Sequence, residues 1–414
     1  MKKKVISMFL TACTVSVMVV GGGSNLVMAD DAETVTLMGW YDEDDMNPIL
    51  EKVNEQMDGK YVIEYTYVAN TDYNNVLSTQ LASGEGPDII MDGTNYPAEI
   101  KAGNVEDISD YDFVKEFNEA GMSLCSADGK IYGIPSYGWF SGIWCNASIL
   151  EECGVEIPKT FDELLADCKL LQDQEIIPIA MGGDWPILRY FAQVPFRLTG
   201  NEYIENAVSG EGSFGEEAGL KGAQFIQDIA QYFQEGWSSA DYDTMIDLFA
   251  SGQAAIMYNG TWALDQADMI GEDENIKDNI GYFTMPTYSD ADVTTATDFF
   301  ANSGIGTAIR TDAVDDEMKA WMKYLLEHYA DASLSYNQLP SVMPDEETMQ
   351  SLPKVYQQII EDVSNVKEYA KCWDVVIDSA LVEPLEKETV ILALGQETPE
   401  EWAANMDEYV KNQK

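Results

Sequence analysis

The sequence predicts an α/β protein built from two units. Three observations predict it. At 414 residues the chain is long for one hydrophobic core and suits two lobes. Past the first 30 residues, apolar strand-like runs alternate with helix-length amphipathic segments. A charge-free stretch, Gly133 to Asn146, with six aromatics or glycines between Tyr137 and Trp144, then separates that unit from a second one.

The first unit reads as βαβαβ. Thr34 to Met38 is an apolar, β-branched strand. Asn47 caps a helix with Pro48 at its first position, Ile49, Leu50, Val53 and Met57 on its buried side, and Asp58-Gly59 at its end. Tyr61 to Val68 is the second strand. Thr71 caps a helix with Tyr73, Val76, Leu77 and Leu81 inward and Gly84 as terminator, and Asp88 to Met91 is the third strand. Connections of helix length imply parallel strands with right-handed crossovers, in the order second, first, third.

Asp128-Gly129 is a tight-turn pair, after which Ile131 to Pro135 reads as a short strand stopped by proline. Ile143 to Asn146 is a second short extended run, leading into a helix from about Ser148. Thr160, with Glu163 three residues on, is a capping box for the next helix. A strand over Ile176 to Ala180, helices over 216–234 and 241–250, and strands over Ala254 to Tyr258 and Ile280 to Met285 follow. Asp298 to Ile309 reads as a return crossing, Asp315 to Tyr329 as a helix, and Leu334 to Met343 as a further crossing. The remainder is helical. There is no internal repeat and no low-complexity tract.

The N-terminus has the layout of an export signal. Lys2, Lys3 and Lys4 precede an apolar run from Val5 to Val20, and Val27-Met28-Ala29 is a cleavage signal before Asp30. Leu10-Thr11-Ala12-Cys13 offers a competing reading, a lipid anchor at Cys13, and an uncleaved anchor is a third. No later stretch reaches membrane-span length. Cleavage at Ala29 removes three lysines and no acid, taking the net charge from −50 to about −53. Such a surface repels nucleic acid and anionic lipid, and it suits solubility outside the cell. Asp42-Glu43-Asp44-Asp45 lacks the glycine and distal glutamate of a calcium loop, so no metal is expected there. Five cysteines remain beyond the signal, without a C-x-x-C pair. This argues against a disulfide framework or a zinc site, and Cys145 and Cys153 pair only if the fold brings them together.

In open α/β sheets ligands bind beyond the carboxyl ends of strands. That rule nominates Trp40 and Asp42 after the first strand, Asp92 after the third, Trp185 after the strand at 176–180, and Trp262 after the strand at 254–258. The crossings add Tyr137, Trp139 and Asn302, and the C-terminal helices add Trp373, followed by Asp374. Aromatics mixed with small polar and acidic residues suit sugars, whose C–H faces pack on rings and whose hydroxyls need donors and acceptors. An anion site wants arginine instead, and the chain has three, Arg189, Arg197 and Arg310. Arg189 lies near Trp185, which leaves an acidic sugar open. Trp144, Trp321 and Trp402 read as core, and Trp237 has no clear place.

Four segments carry a family resemblance: TDYNNVLSTQLASGEGPDII over 71–90, DGKIYGIPSYGWFSGIWCNASILEECGVEIPKTFDELL from Asp128, LFASGQAAIMYNGTWAL over 248–264, and DFFANSGIGTAI over 298–309. In this order they resemble the carbohydrate-type (family 1) solute-binding proteins of ABC importers, related to maltose-binding protein. Ala147 stands where those relatives carry lysine. The resemblance implies a two-lobed periplasmic-binding-protein-like fold of type 2, with two or three hinge crossings and a central cleft. With residues 1–29 read above as a signal peptide, it assigns 30–138 and 303–335 to the N-terminal lobe, and 139–302 and 336–414 to the C-terminal lobe. It implies a monomeric, exported receptor without a cofactor, whose partners are a carbohydrate and the membrane subunits of an ABC permease. It also implies that Trp262 stacks on a sugar ring.

Catalytic readings are poor. His328, the single histidine, lies in an apolar helical setting, Gly304-Ile305-Gly306 lacks the third glycine of a dinucleotide loop, and no phosphate-binding P-loop occurs. A secreted glycoside hydrolase or lyase needs only two carboxylates and is the rival class. A receptor for another small solute, such as a peptide or polyamine, is the third reading.

Overall fold

The computed structural model describes residues 33–39, 43–56, 61–91, 100, 102–111, 114, 126–261, 263, 280–311, 349–350, 354–377 and 379–413. The signal segment, the 315–329 helix with Trp321 and His328, and the 334–343 crossing lie outside the described residues.

The first unit is the predicted βαβαβ: β1 (Glu33–Gly39), α1 (Glu43–Gln56), β2 (Tyr61–Tyr67), α2 (Asn70–Ser83) and β3 (Ile89–Met91). β1 pairs in parallel with both β2 and β3, as the crossover argument requires. Met46, Leu50 and Val53 on α1, and Tyr73 and Leu77 on α2, are buried at helical spacing. Two boundaries differ from expectation. α1 starts at Glu43, four residues before Asn47, and so leaves Pro48 inside the helix. α2 starts at Asn70 with Ala69 as its cap, so Thr71 is helical and does not cap it, while Gly84 closes it at φ 77°.

Asp88, the aspartate of the 71–90 segment, braces this unit. Its carboxylate accepts from the Thr36 backbone N–H at 2.9 Å, the Thr36 hydroxyl at 2.8 Å and Arg310 at 3.2 Å.

The strands β4 (Ser126–Ala127) and β5 (Lys130–Ile131) close around Asp128 and Gly129, both at positive φ. β6 (Ile134–Asn146) is then one strand of 13 residues running through Pro135, which does not stop it. In that half β6 is paired with β10, where Pro135 stands opposite Gly306, while β8 joins β6 only from Ser141. A proline is tolerated where a strand is paired on one side.

Helix α3 (Ala147–Cys153) is capped by Asn146, and α4 (Phe161–Asp173) by the full Thr160–Glu163 capping box. β7 (Ile177–Ala180), α5 (Pro186–Thr199), α6 (Glu202–Ser209), α7 (Glu217–Ala230), α8 (Tyr242–Ala250) and β8 (Ala254–Gly260) follow. β9 (Ile280–Phe283), β10 (Phe300–Ile309), α9 (Lys354–Asn365), α10 (Trp373–Val376), α11 (Ser379–Ala393) and α12 (Pro399–Gln413) complete the described elements.

The main sheet runs β2-β1-β3-β10-β6-β8-β7, with β9 added on β6. Among the described residues, separate cores lie on either side of its middle. Met38, Tyr73, Leu77, Ile90 and Ala308 belong to one. Phe140, Trp144, Phe191, Ile256, Phe300 and Trp402 belong to the other. β10 therefore leaves the second core at Phe300 and enters the first at Ala308, and the molecule is two-lobed with β6 and β10 as crossings. Trp144 and Trp402 are fully buried, and Trp237 packs edge-on to Phe233 at 5.2 Å. Cys145, Cys153, Cys168 and Cys372 are free thiols, so Cys145 and Cys153 are not joined.

Candidate ligand-binding cleft

Strand register brings the predicted positions toward one place. β1 ends at Gly39 and β3 at Met91, and Met91 stands opposite Thr307 of β10. Going back along β10, Gly304 is opposite Tyr137, Asn302 opposite Trp139, and Phe300 opposite Ser141. Ser141 in turn is opposite Gly260, the last residue of β8, and β7 runs parallel to β8. The carboxyl ends of β1 and β3 in one lobe, and of β7 and β8 in the other, thus point at the middle of the two crossings. This is the position where strand-end loops hold ligands. β10 carries register shifts at Gly304, Ile305 and Gly306, so the glycines there mark a β-bulge.

Trp40, Asp42, Asp92 and Trp262 follow directly on these strand ends and lie outside the described residues. For Tyr137, Trp139 and Asn302 the strand backbone is described. Trp185 and Trp373 are described in full.

Trp185 sits on a loop that three contacts hold in place. Gln234 clamps Met181 at the end of β7, accepting from its N–H at 2.9 Å and donating to its carbonyl at 2.6 Å. The Gly183 N–H donates to the Ala240 carbonyl at 3.0 Å. A Cβ on Gly183 would run into the Ser238 carbonyl, which explains glycine at this close approach. Pro186 then opens α5 and sets Trp185 at its N-terminus. The half-buried Trp185 ring lies 6.4 Å from the rings of Tyr242 and Tyr258 and 5.2 Å from the Arg189 guanidinium.

Arg189 is 2% exposed and does not stand open to an anion. It forks onto Asp374, with Nε to Oδ1 at 2.5 Å and Nη2 to Oδ2 at 2.7 Å, and donates from Nη1 to the Ser141 hydroxyl at 3.0 Å. One side chain thus ties α5 to α10 and to the junction of β6, β8 and β10.

Two carboxyls in this region titrate high. Glu386 is pushed up to about 7, by burial first and then by the charges of Asp374, Asp184 and Glu383. Asp184 is raised by burial and by Asp241, and its buried Oδ1 has no hydrogen-bond partner. Among the described residues, no three His, Cys, Asp or Glu side chains are grouped to hold a metal.

Trp373 is in the core, 3% exposed, with its ring 5.2 Å from Phe191 and 5.9 Å from Tyr203. The adjoining Asp374 is the residue that opens outward, with 13% of its side chain exposed. Ser141, Asp374 and Glu386 are what the strand-end rule does not find, since none follows a strand of the sheet. Asp374 lies 185 residues from Arg189, and no local pattern links the two.

The sequence profile of the bacterial extracellular solute-binding proteins matches residues 42–331. The chain belongs to that family. Among its relatives, the maltotriose-binding protein of Pyrococcus abyssi is 26% identical over 239 residues, covering 54% of this chain and 50% of its own length. The multiple sugar-binding protein of Streptococcus mutans is 24% identical over 274 residues, covering 61% of this chain and 63% of its own. The chain therefore spans half to under two thirds of the length of these curated relatives. A solved chitin oligosaccharide binding protein superposes with a TM-score of 0.70 at 23% identity, over 92% of this chain and 99% of its own. That likeness carries the two-lobed solute-binding fold. Among the described residues of this solute-binding protein, no helix is long and apolar enough to cross a membrane.

Proposed function

We propose that this solute-binding protein captures a sugar or short oligosaccharide between its lobes and delivers it to an ABC permease without chemically changing it. The supporting observation is the convergence of four strand ends, two from each lobe, on an aromatic crossing. Relatives named for maltotriose and for multiple sugars point the same way. The lobes are assigned to residues 30–138 with 303–335 and to 139–302 with 336–414. Trp40, Asp42, Asp92, Tyr137, Trp139, Trp185, Trp262 and Asn302 line the cleft, and Trp373 supports it from the core. The β10 bulge beside the crossing supplies the bend for closure, and ligand held by both lobes favours the closed form that a permease reads. The protein is exported after cleavage at Ala29, with lipidation at Cys13 as the competing form, and acts as a monomer.

The test is a thermal-shift and calorimetric screen with maltotriose, triacetylchitotriose and xylotriose. A sugar that binds only the folded state raises its apparent stability. A dose-dependent rise with at least one neutral sugar is expected, and no response to any sugar would contradict the proposal. Glu386, raised beside Asp374 and Asp184, is the observation that favours a glycoside hydrolase instead. New reducing ends after incubation with the same sugars would decide for that reading.

A further inference from the structure

The charge preference of the cleft follows from how the arginines are committed. Arg197 is fully buried and donates to the Pro286 carbonyl at 2.9 Å and the Thr294 hydroxyl at 3.0 Å, with further bonds to the carbonyls of Met285 and Thr295. Arg310 braces Asp88. Arg189, beside Trp185, is forked on Asp374 and covered by the rings of Trp185 and Phe300, at 5.2 and 5.9 Å. Planar, two-point recognition of a carboxylate or phosphate is the task for which arginine is best shaped. All three arginines of the chain already hold protein groups.

Asp374 is placed differently. A carboxylate has about four acceptor directions and Arg189 occupies two of them. The guanidinium fixes the carboxylate in position, and the outward part of Asp374 retains capacity to accept from hydroxyls. Trp185 and Asp374 both contact Arg189, so an aromatic ring and a fixed acceptor are held by one guanidinium.

Building on the sugar-receptor reading, we propose that Asp374 is a ligand-contacting, specificity-determining residue and Arg189 its positioning residue. Together they make the site accept neutral sugars and refuse uronic acids and sugar phosphates. A sugar hydroxyl donates to Asp374 while its ring packs at Trp185. An anionic sugar meets the acceptor oxygens of Asp374, and the three arginines already hold protein groups.

The experiment is calorimetric titration of the full chain with maltotriose, triacetylchitotriose, trigalacturonate and glucose 6-phosphate. It uses the wild type, Asp374→Asn, and the double variant Arg189→Gln/Asp374→Asn. Wild type is expected to bind a neutral trisaccharide at least about tenfold tighter than either anion. Asp374→Asn unmasks Arg189, so neutral affinity should fall and trigalacturonate affinity rise, each by about tenfold. The double variant leaves no buried charge unpaired; it should lose neutral affinity without gaining trigalacturonate. If Asp374→Asn does not fold, the double variant carries the test, and neutral affinity equal to wild type overturns the inference. Tighter wild-type binding of an anion, or an unchanged neutral-to-acidic ratio in Asp374→Asn, overturns it while leaving the receptor reading standing. Wild type that binds none of the four overturns the receptor reading and this inference with it.

Discussion

Trp139 on the outgoing crossing and Asn302 on the returning one stand directly opposite each other in antiparallel register. The two strands on which the lobes are hung thus bring an aromatic and an amide to the same point along the chain axis. If the cleft is centred there, Trp139→Ala should weaken sugar binding by about 1–3 kcal/mol through loss of a stacking ring. Asn302→Ala should cost about 0.5–1.5 kcal/mol through loss of one hydrogen bond. Both variants should unfold at the denaturant concentration of the wild type. Calorimetry and denaturant melts on the same samples check this, and lost stability with intact affinity would move the cleft elsewhere.

Trp262 and Trp373 should separate into opposite classes. Trp373 lies in the core against Phe191 and Tyr203, so Trp373→Ala is expected to cost about 3–5 kcal/mol of fold stability. Trp262, two residues past the end of β8 and proposed as a ligand contact, should act on affinity, again by about 1–3 kcal/mol, with little change in unfolding. Comparable stability losses in both would place Trp262 in the core.

Much of the fold was legible because its signals are local. The Thr160–Glu163 box, the Gly84 terminator and the burial spacing of Tyr73 and Leu77 are each written within four residues of one another. Pro135 reads as a strand end in sequence because a local rule does not know which side of the strand is paired. Helix α5 is buried all along Pro186 to Arg197, and its polar stripe of Arg189, Gln193 and Arg197 faces protein, so a rule that puts polar residues in water does not place it. In the site, strand ends nominated Trp185, but the Arg189–Asp374 fork joins residues far apart in sequence. From the sequence, Arg189 near Trp185 leaves an acidic sugar open; in the structure its charge is already taken by Asp374.

Gly183 should be intolerant of any side chain. A Cβ there meets the Ser238 backbone carbonyl, so Gly183→Ala must shift the loop that carries Trp185. The expected cost is about 1–3 kcal/mol of stability, as for other overpacked sites, with weaker sugar binding. Unfolding and binding identical to wild type would show that the loop has slack.

Asp298 and Glu386 should respond to pH in opposite senses. Burial works against ionised Asp298, but the N–H groups of Thr295, Glu368 and Lys367 outweigh it and hold its carboxyl below the usual 3.8. Its contribution is present above 3.8 and is lost as the pH falls through the depressed value. Glu386 is raised from 4.5 to about 7, so its contribution is full below 4.5 and is lost as the pH rises through about 7. Asp298→Asn should therefore cost about 1–3 kcal/mol at neutral pH and converge with wild type in acid. Glu386→Gln should equal wild type in mild acid and become relatively more stable above neutrality. Denaturant unfolding across that range checks both, and parallel curves for all three proteins would contradict the assignment.

The central claim is a two-lobed receptor that closes on a sugar, and small-angle scattering tests it most directly. The measurement compares the protein alone with the protein saturated by whichever neutral trisaccharide raises its thermal stability most. A smaller radius of gyration with bound sugar is the predicted result. A radius unchanged at full occupancy would contradict closure between the lobes.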